Sequence, residues 1–248
     1  MTNHTNTDKA AALAALVTGQ LPEDAGVWIE SNILSLDEAG AAAGFQRLFS
    51  RVPPFAPGGD LTVTAELKYT FDLQQFCRLL LMLKLPLERN ADILNMTFEM
   101  ADIKEQVILY RGLYFLDNAG DFVPRVTEGL RTNITAVFDA IALFNPYPAR
   151  YLTEPAWNQM VLKAIFMGRP LADIYGLPER KNQKLALILH DYIRERWSAG
   201  RTITAEIWQL MPGFVNDAIR ANLQKAAASA DDAERIAATA ALAAEHIN

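Results

Sequence analysis

Cysteine is all but missing from this sequence. Cys77 stands alone, so the chain can form neither an internal disulfide nor a multi-cysteine metal cluster. It sits in the apolar run from Phe76 to Leu85, where a thiol behaves as a small, inert hydrophobe. Histidine is nearly as scarce, with His4 and His246 at the termini and His190 between them. Glu99, Asp102 and Glu105 fall on one helical face, but no Glu-x-x-His accompanies them, as a di-metal helical bundle needs. They read as a solvated acidic face, and neither a metal nor another cofactor is expected.

The motifs of the common enzyme classes are absent too. There is no Gly-x-Ser-x-Gly elbow, no His-Glu-x-x-His and no glycine-rich phosphate loop, which lowers the weight on those chemistries. Long apolar runs are missing as well. The longest, Leu79 to Leu83, falls far short of the roughly 20 residues that span a bilayer. Ala10 to Val17 is apolar, but Asp8 and Lys9 precede it and Thr18-Gly19-Gln20 follows, so no signal peptide is expected and the chain is placed in the cytoplasm. In that compartment the sequons at Asn3, Asn95 and Asn133 are chance matches.

Positive charge is in short supply. The formal net charge is -6, which argues against nucleic acid and anionic membranes as electrostatic partners. The one basic cluster, Arg180, Lys181 and Lys184, reads as a solvated loop entering a helix.

What the chain does have is helix-forming pattern. Its 248 residues are 51% hydrophobic and 21% charged, ordinary globular usage that supports a single domain over 1–248. Ser35-Leu36-Asp37-Glu38 has the form of a capping box, with Ser35 as cap and Glu38 reaching back, and predicts a helix to about Phe49. Asp72-Leu73-Gln74-Gln75 has the same form, with Phe71 and Phe76 placed for a hydrophobic staple. The helix it opens is apolar on nearly every side and should lie centrally until Pro86 ends it.

Arg51 to Gly59, rich in proline and glycine, is a loop. Leu61 to Lys68 alternates like a strand but finds no pairing partner, so it reads as loop or a helical turn. Further helices are predicted over Asp92 to Asn95, Glu99 to Tyr110, Glu128 to Phe144, Pro155 to Met167, Gln183 to Ser198 and Ala205 to Leu210. Asn145-Pro146-Tyr147-Pro148 separates two of them. The alanine-rich tail over 217–248 has high helix propensity, and its Asp231-Asp232 lacks the third aspartate of a diphosphate motif because Arg235 stands there. The fold class is all-α, an irregular antiparallel helical array, bundle or α-solenoid-like stack with HEAT-like stacking among the options. The four tryptophans, Trp28, Trp157, Trp197 and Trp208, are assigned to the core.

Candidate functional residues are polar side chains that helical spacing forces onto apolar stripes. His190 shares a face with Ala186, Ile193 and Trp197; Asn158 shares one with Leu162 and Ile165; Asn133 shares one with Val137, Ala140 and Phe144. His190 is either a hydrogen-bonded core histidine or, with Asp191, a catalytic acid or base. The asparagines either link helices or bind a ligand. Arg111, Arg131, Lys163 and Arg194 complete the ligand-binding candidates, each open to reading as a surface ion-pair partner.

Leu109-Tyr110-Arg111-Gly112-Leu113, Glu128-Gly129-Leu130-Arg131-Thr132-Asn133, Asn145-Pro146-Tyr147-Pro148 and Ala156-Trp157-Asn158-Gln159-Met160-Val161-Leu162-Lys163-Ala164 resemble the EboA-domain family in order and spacing. Asp191-Tyr192 with Glu195-Arg196-Trp197 adds to the likeness. The resemblance spans a core of about 47–214. It implies a helical component encoded beside a prenyltransferase-like membrane protein and several enzyme-like proteins, and hence secondary-metabolite assembly or export. It carries no catalytic residues across.

Three functions follow as expectations. The first is an adaptor or small-metabolite-binding protein whose partners are proteins of the same pathway, the prenyltransferase-like membrane protein among them. The second is an enzyme using His190, with Asp191 or Arg131, on a prenylated or cyclitol-like intermediate. The third is a membrane-peripheral scaffold for the prenyltransferase-like partner.

Overall fold

The computed structural model describes residues 6–55, 61–62 and 70–245. The chain divides into two compact units, 1–152 and 153–248, and it is all-α. Among the described residues the one extended pairing is an isolated antiparallel bridge between Leu61 and Phe71. Most of the stretch expected as loop or helical turn, Leu61 to Lys68, lies outside the described residues, as do Ala56 to Gly59 of the proline-glycine loop.

In the first unit, α1 (Asn6–Val17) is tied at its start. The buried Asn6 accepts the Asp117 amide at 2.9 Å, and Lys9 pairs with the Asp117 carboxylate. After α2 (Glu23–Ile29) the chain passes through a π-helical turn, Glu30–Leu34, into α3 (Glu38–Ser50). The predicted Ser35 cap is overturned here. The wider turn carries helical backbone through Ser35, whose N–H reaches back to the Glu30 carbonyl at 3.0 Å. A cap needs extended backbone, and Asp37 supplies it, accepting the Gly40 amide at 2.7 Å.

Asp72 caps α4 (Leu73–Leu83) as predicted, accepting the Gln75 amide at 2.8 Å. Every residue from Phe76 to Leu83 is buried, and α1, α3 and α6 pack around this helix. Arg78 is buried with the rest. Its Nε donates to the Phe49 carbonyl at 2.9 Å, its guanidinium lies over the Phe49 ring, and Glu105 faces it at 3.8 Å.

Two helices follow, α5 (Leu87–Met100) and α6 (Ile103–Gly112). The break falls at Ala101 and Asp102 rather than before Glu99, because Asp102 and Glu105 form a reciprocal capping box. Of the acidic triplet, Glu99 and Asp102 are exposed as expected, but Glu105 is not. Asp102 caps, Glu105 is buried against Arg78, and Glu99 pairs with Arg125 at 2.8 Å. Gly112 lets α6 close on α4, since a Cβ there would sit 2.6 Å from Met82 Sδ.

The single helix predicted from Glu128 to Phe144 is two, α7 (Val123–Gly129) and α8 (Thr135–Ala142). A Cβ at Gly129 would overlap the Tyr110 hydroxyl, so the chain presses its bare backbone onto that ring and turns. Thr132 then accepts the Ile134 amide at 3.1 Å. Asn145, also buried, accepts the Tyr147 amide and donates to the Ala140 carbonyl, stopping α8 and opening α9 (Pro146–Tyr151).

The second unit contains α10 (Glu154–Phe166), α11 (Gln183–Ser198), α12 (Asp217–Ala227) and α13 (Asp232–Glu245). Short 3-10 turns at Leu171–Asp173 and Ala205–Leu210 fall between them. The alanine-rich tail packs. Ala238 and Ala241 are buried, α13 lies along α12 and the turn at 205–210, and Glu245 accepts the Gly213 amide at 2.9 Å. Trp157 and Trp208 are fully buried. Trp28 and Trp197 stay half-buried, the latter between Trp208 and the Lys225 ammonium.

Candidate functional site

The polar residues singled out from the sequence go to different places. In the first unit Arg111 is half-buried near the end of α6. Arg131 is exposed and pairs with Glu128 at 3.0 Å. Asn133 is exposed as well, because the break after Gly129 takes it out of any helix and off the stripe of Val137 and Ala140.

In the second unit Asn158 and His190 are buried as their spacing implied, 2% and 8% exposed. Each has found an asparagine. Asn158 and Asn182 exchange amide hydrogen bonds at 3.1 and 2.9 Å, and Asn182 also accepts the Leu185 amide as the cap of α11. That links α10 to the start of α11. The amide of Asn222 meets His190 Nδ1 at 2.8 Å, linking α11 to α12. If the amide donates, the ring proton sits on Nε2. Asp191 and Arg194 are exposed, and Lys163 is half-buried.

The basic cluster does not stay together as a solvated patch. Arg180 stacks over the Trp157 ring, 4.6 Å from its centroid, and burial pulls its pKa below the ordinary value against the opposing pull of Glu154. Lys184 pairs with Glu154 at 3.0 Å. Lys181 lies at the edge of a cavity of about 180 Å³.

That cavity is built by segments with no helical period. Leu171, Ile174 and Leu177 come from the turn-rich connection between α10 and α11, and Leu210 comes from the 3-10 turn at 205–210. All four are buried. Gly176 allows the turn between Ile174 and Leu177 by adopting a φ of +71°, which other residues rarely hold. The two walls are fastened where Glu206 accepts the Leu171 amide at 2.9 Å. Among the described residues, Lys181 and Gln209 bring the only polar side chains to this aliphatic lining. An apolar pocket with a few convergent polar groups is the usual form of a small-molecule site.

Two other concavities differ in kind. An open groove on α2, lined by Glu23, Asp24 and Trp28, is shallow surface. A cleft of about 330 Å³ beside Trp197 has Arg201 together with Asp231 and Glu234 in its own lining, so both signs of charge are already present. None of the residues singled out as site candidates lines any of these three cavities. Among the described residues no group of histidine, cysteine, aspartate and glutamate could hold a metal ion.

A family model described as "Metabolite traffic protein EboA" matches residues 10–212. The chain belongs to the EboA family. The match begins within α1, well before the Arg47 start of the expected core, and it takes in both walls of the Lys181 cavity. It stops short of α12 and α13. No curated protein and no solved structure matches the chain. The family's description suggests a role in metabolite traffic. Among the described residues no helix is long and apolar enough to cross a membrane.

Proposed function

We propose that this EboA-family chain is an accessory protein that binds a small metabolite without transforming it and passes it among the proteins of its pathway. The observation that carries this reading is the cavity of about 180 Å³ with a buried aliphatic floor and Lys181 and Gln209 at its edge. It is smaller than the roughly 300–1,000 Å³ sites of drug-sized ligands, which suits a small molecule or one end of a longer one. The amide partners of His190 and Asn158 support binding over turnover, since both side chains serve to link helices. Secondary-metabolite export, residence in the cytoplasm and a prenyltransferase-like membrane partner belong to the same proposal and rest on the family resemblance.

Native mass spectrometry of the chain purified from cells expressing its gene neighbourhood tests the reading. The expected result is a retained small molecule that is released chemically unchanged and is missing from a Leu177→Trp variant with its cavity filled. A chain that carries nothing, or one that converts the molecule it carries, overturns it.

A further inference from the structure

Arg180, Lys181 and Lys184 flank the N-terminus of α11, a 16-residue helix. This is the positive end of the helix macrodipole, where cations are disfavoured. A local rule broken at one place calls for a compensating interaction. Two of the three residues have one. The Arg180 guanidinium lies on the Trp157 ring, and the Lys184 ammonium pairs with Glu154.

Lys181 has none among the described residues. Among the described residues no acidic side chain lines its cavity. The cleft beside Trp197 shows the contrast, because its Arg201 shares a lining with Asp231 and Glu234. A half-exposed lysine beside an aliphatic pocket, at the wrong end of a helix and with no counter-ion in the lining, leaves a place for an anionic ligand.

We infer that the ligand supplies the counter-charge to Lys181, and that the cavity takes a short aliphatic monocarboxylate. Its carboxylate meets the Lys181 ammonium and the Gln209 side-chain amide, and its tail fills the space over Leu171, Ile174, Leu177 and Leu210. One ammonium and one amide match a single negative charge. A phosphate monoester, with nearly two charges at neutral pH, calls for more cations than this lining holds. This inference rests on the cavity being a ligand site, as proposed above, and adds which ligand chemistry it selects.

Isothermal titration of the full chain with 4-methylpentanoate, its neutral isostere 4-methylpentanamide and 3-methylbutyl phosphate separates the two ideas. The acid is expected to bind saturably, about tenfold or more tighter than the amide, which is the worth of one modest charge-assisted contact. The phosphate is expected to bind more weakly than the acid. Lys181→Met should weaken the acid about tenfold or more and the amide by much less, and Leu177→Trp should remove both. Acid and amide binding alike in the native chain overturns the charge inference while keeping the cavity as a ligand site. Binding of none of the three overturns this inference, while the cavity reading stands or falls on the molecule retained in native mass spectrometry. Tighter binding of the phosphate overturns the choice of a carboxylate. The acid-to-amide comparison uses the unaltered protein, so it stands even if a variant fails to fold.

Discussion

Cys77 shows how one side chain reports its surroundings. It is fully buried in α4, and loss of hydration pushes its thiol from 9.0 up to about 12, with nearby Arg78 opposing and Asp72 adding a little. The thiolate is the reactive form. In native conditions Cys77 should therefore resist Ellman's reagent over hours and react only as the chain unfolds, so that its labelling rate follows denaturant concentration. Rapid labelling of the folded protein would show that α4 is not sealed. Glu105 is a second informative residue. Glu105→Ala removes the partner of a buried guanidinium and half of a capping box, and should cost about 3 kcal/mol in chemical denaturation. The double variant Arg78→Met, Glu105→Ala should recover a large part of that loss, because an uncompensated buried charge is worse than none.

At the level of elements, close approaches do as much as caps. Gly129→Ala forces a methyl group into the Tyr110 ring and hydroxyl, so a loss of about 1–3 kcal/mol is expected from overpacking. Tyr110→Phe in that background should relieve part of it, measured by the same denaturation midpoint. These contacts explain what could be read from the sequence. The starts of α4 and α11 were legible, since Asp72 and the boundary at Gln183 announce themselves locally. Ser35 misled because a π-helical turn, which depends on an extra residue in the backbone, has no marker in a capping motif. The break after Gly129 was hidden because its cause is a tyrosine on α6.

The candidate site was legible only in fragments, for a related reason. Periodicity found Asn158 and His190 correctly as buried polar groups, but not their partners Asn182 and Asn222, which lie on neighbouring elements. The cavity was invisible because Leu171, Ile174 and Leu177 lie in turns, where no period distinguishes lining from loop. Lys181 is visible in the sequence only as part of a basic cluster ahead of a helix start, a pattern that does not distinguish a solvated lysine from one beside a cavity.

For the whole molecule, buried acids set the response to alkali. Burial raises Cys77, and it also raises Tyr147 and Tyr110 above their ordinary 10.0. Each group binds its proton more tightly folded than unfolded. Their contribution to stability is thus complete below about pH 9, where the unfolded thiol begins to ionise, and is lost as pH climbs through the folded values. Thermal midpoints measured by circular dichroism should fall steadily from pH 9 upward. Phe at both tyrosines with Ser at Cys77 should flatten that slope, even if it lowers stability at neutral pH.

The reciprocal pairing of Asn158 with Asn182 has a consequence of its own. Neutral amides keep their grip whatever the acidity or ionic strength, so the joint that sets the start of α11 is indifferent to its medium. A lone lysine holding an anion is not, because salt screens it. The two fastenings answer to different variables. A change of ionic conditions would loosen the proposed cargo and leave this joint between helices intact.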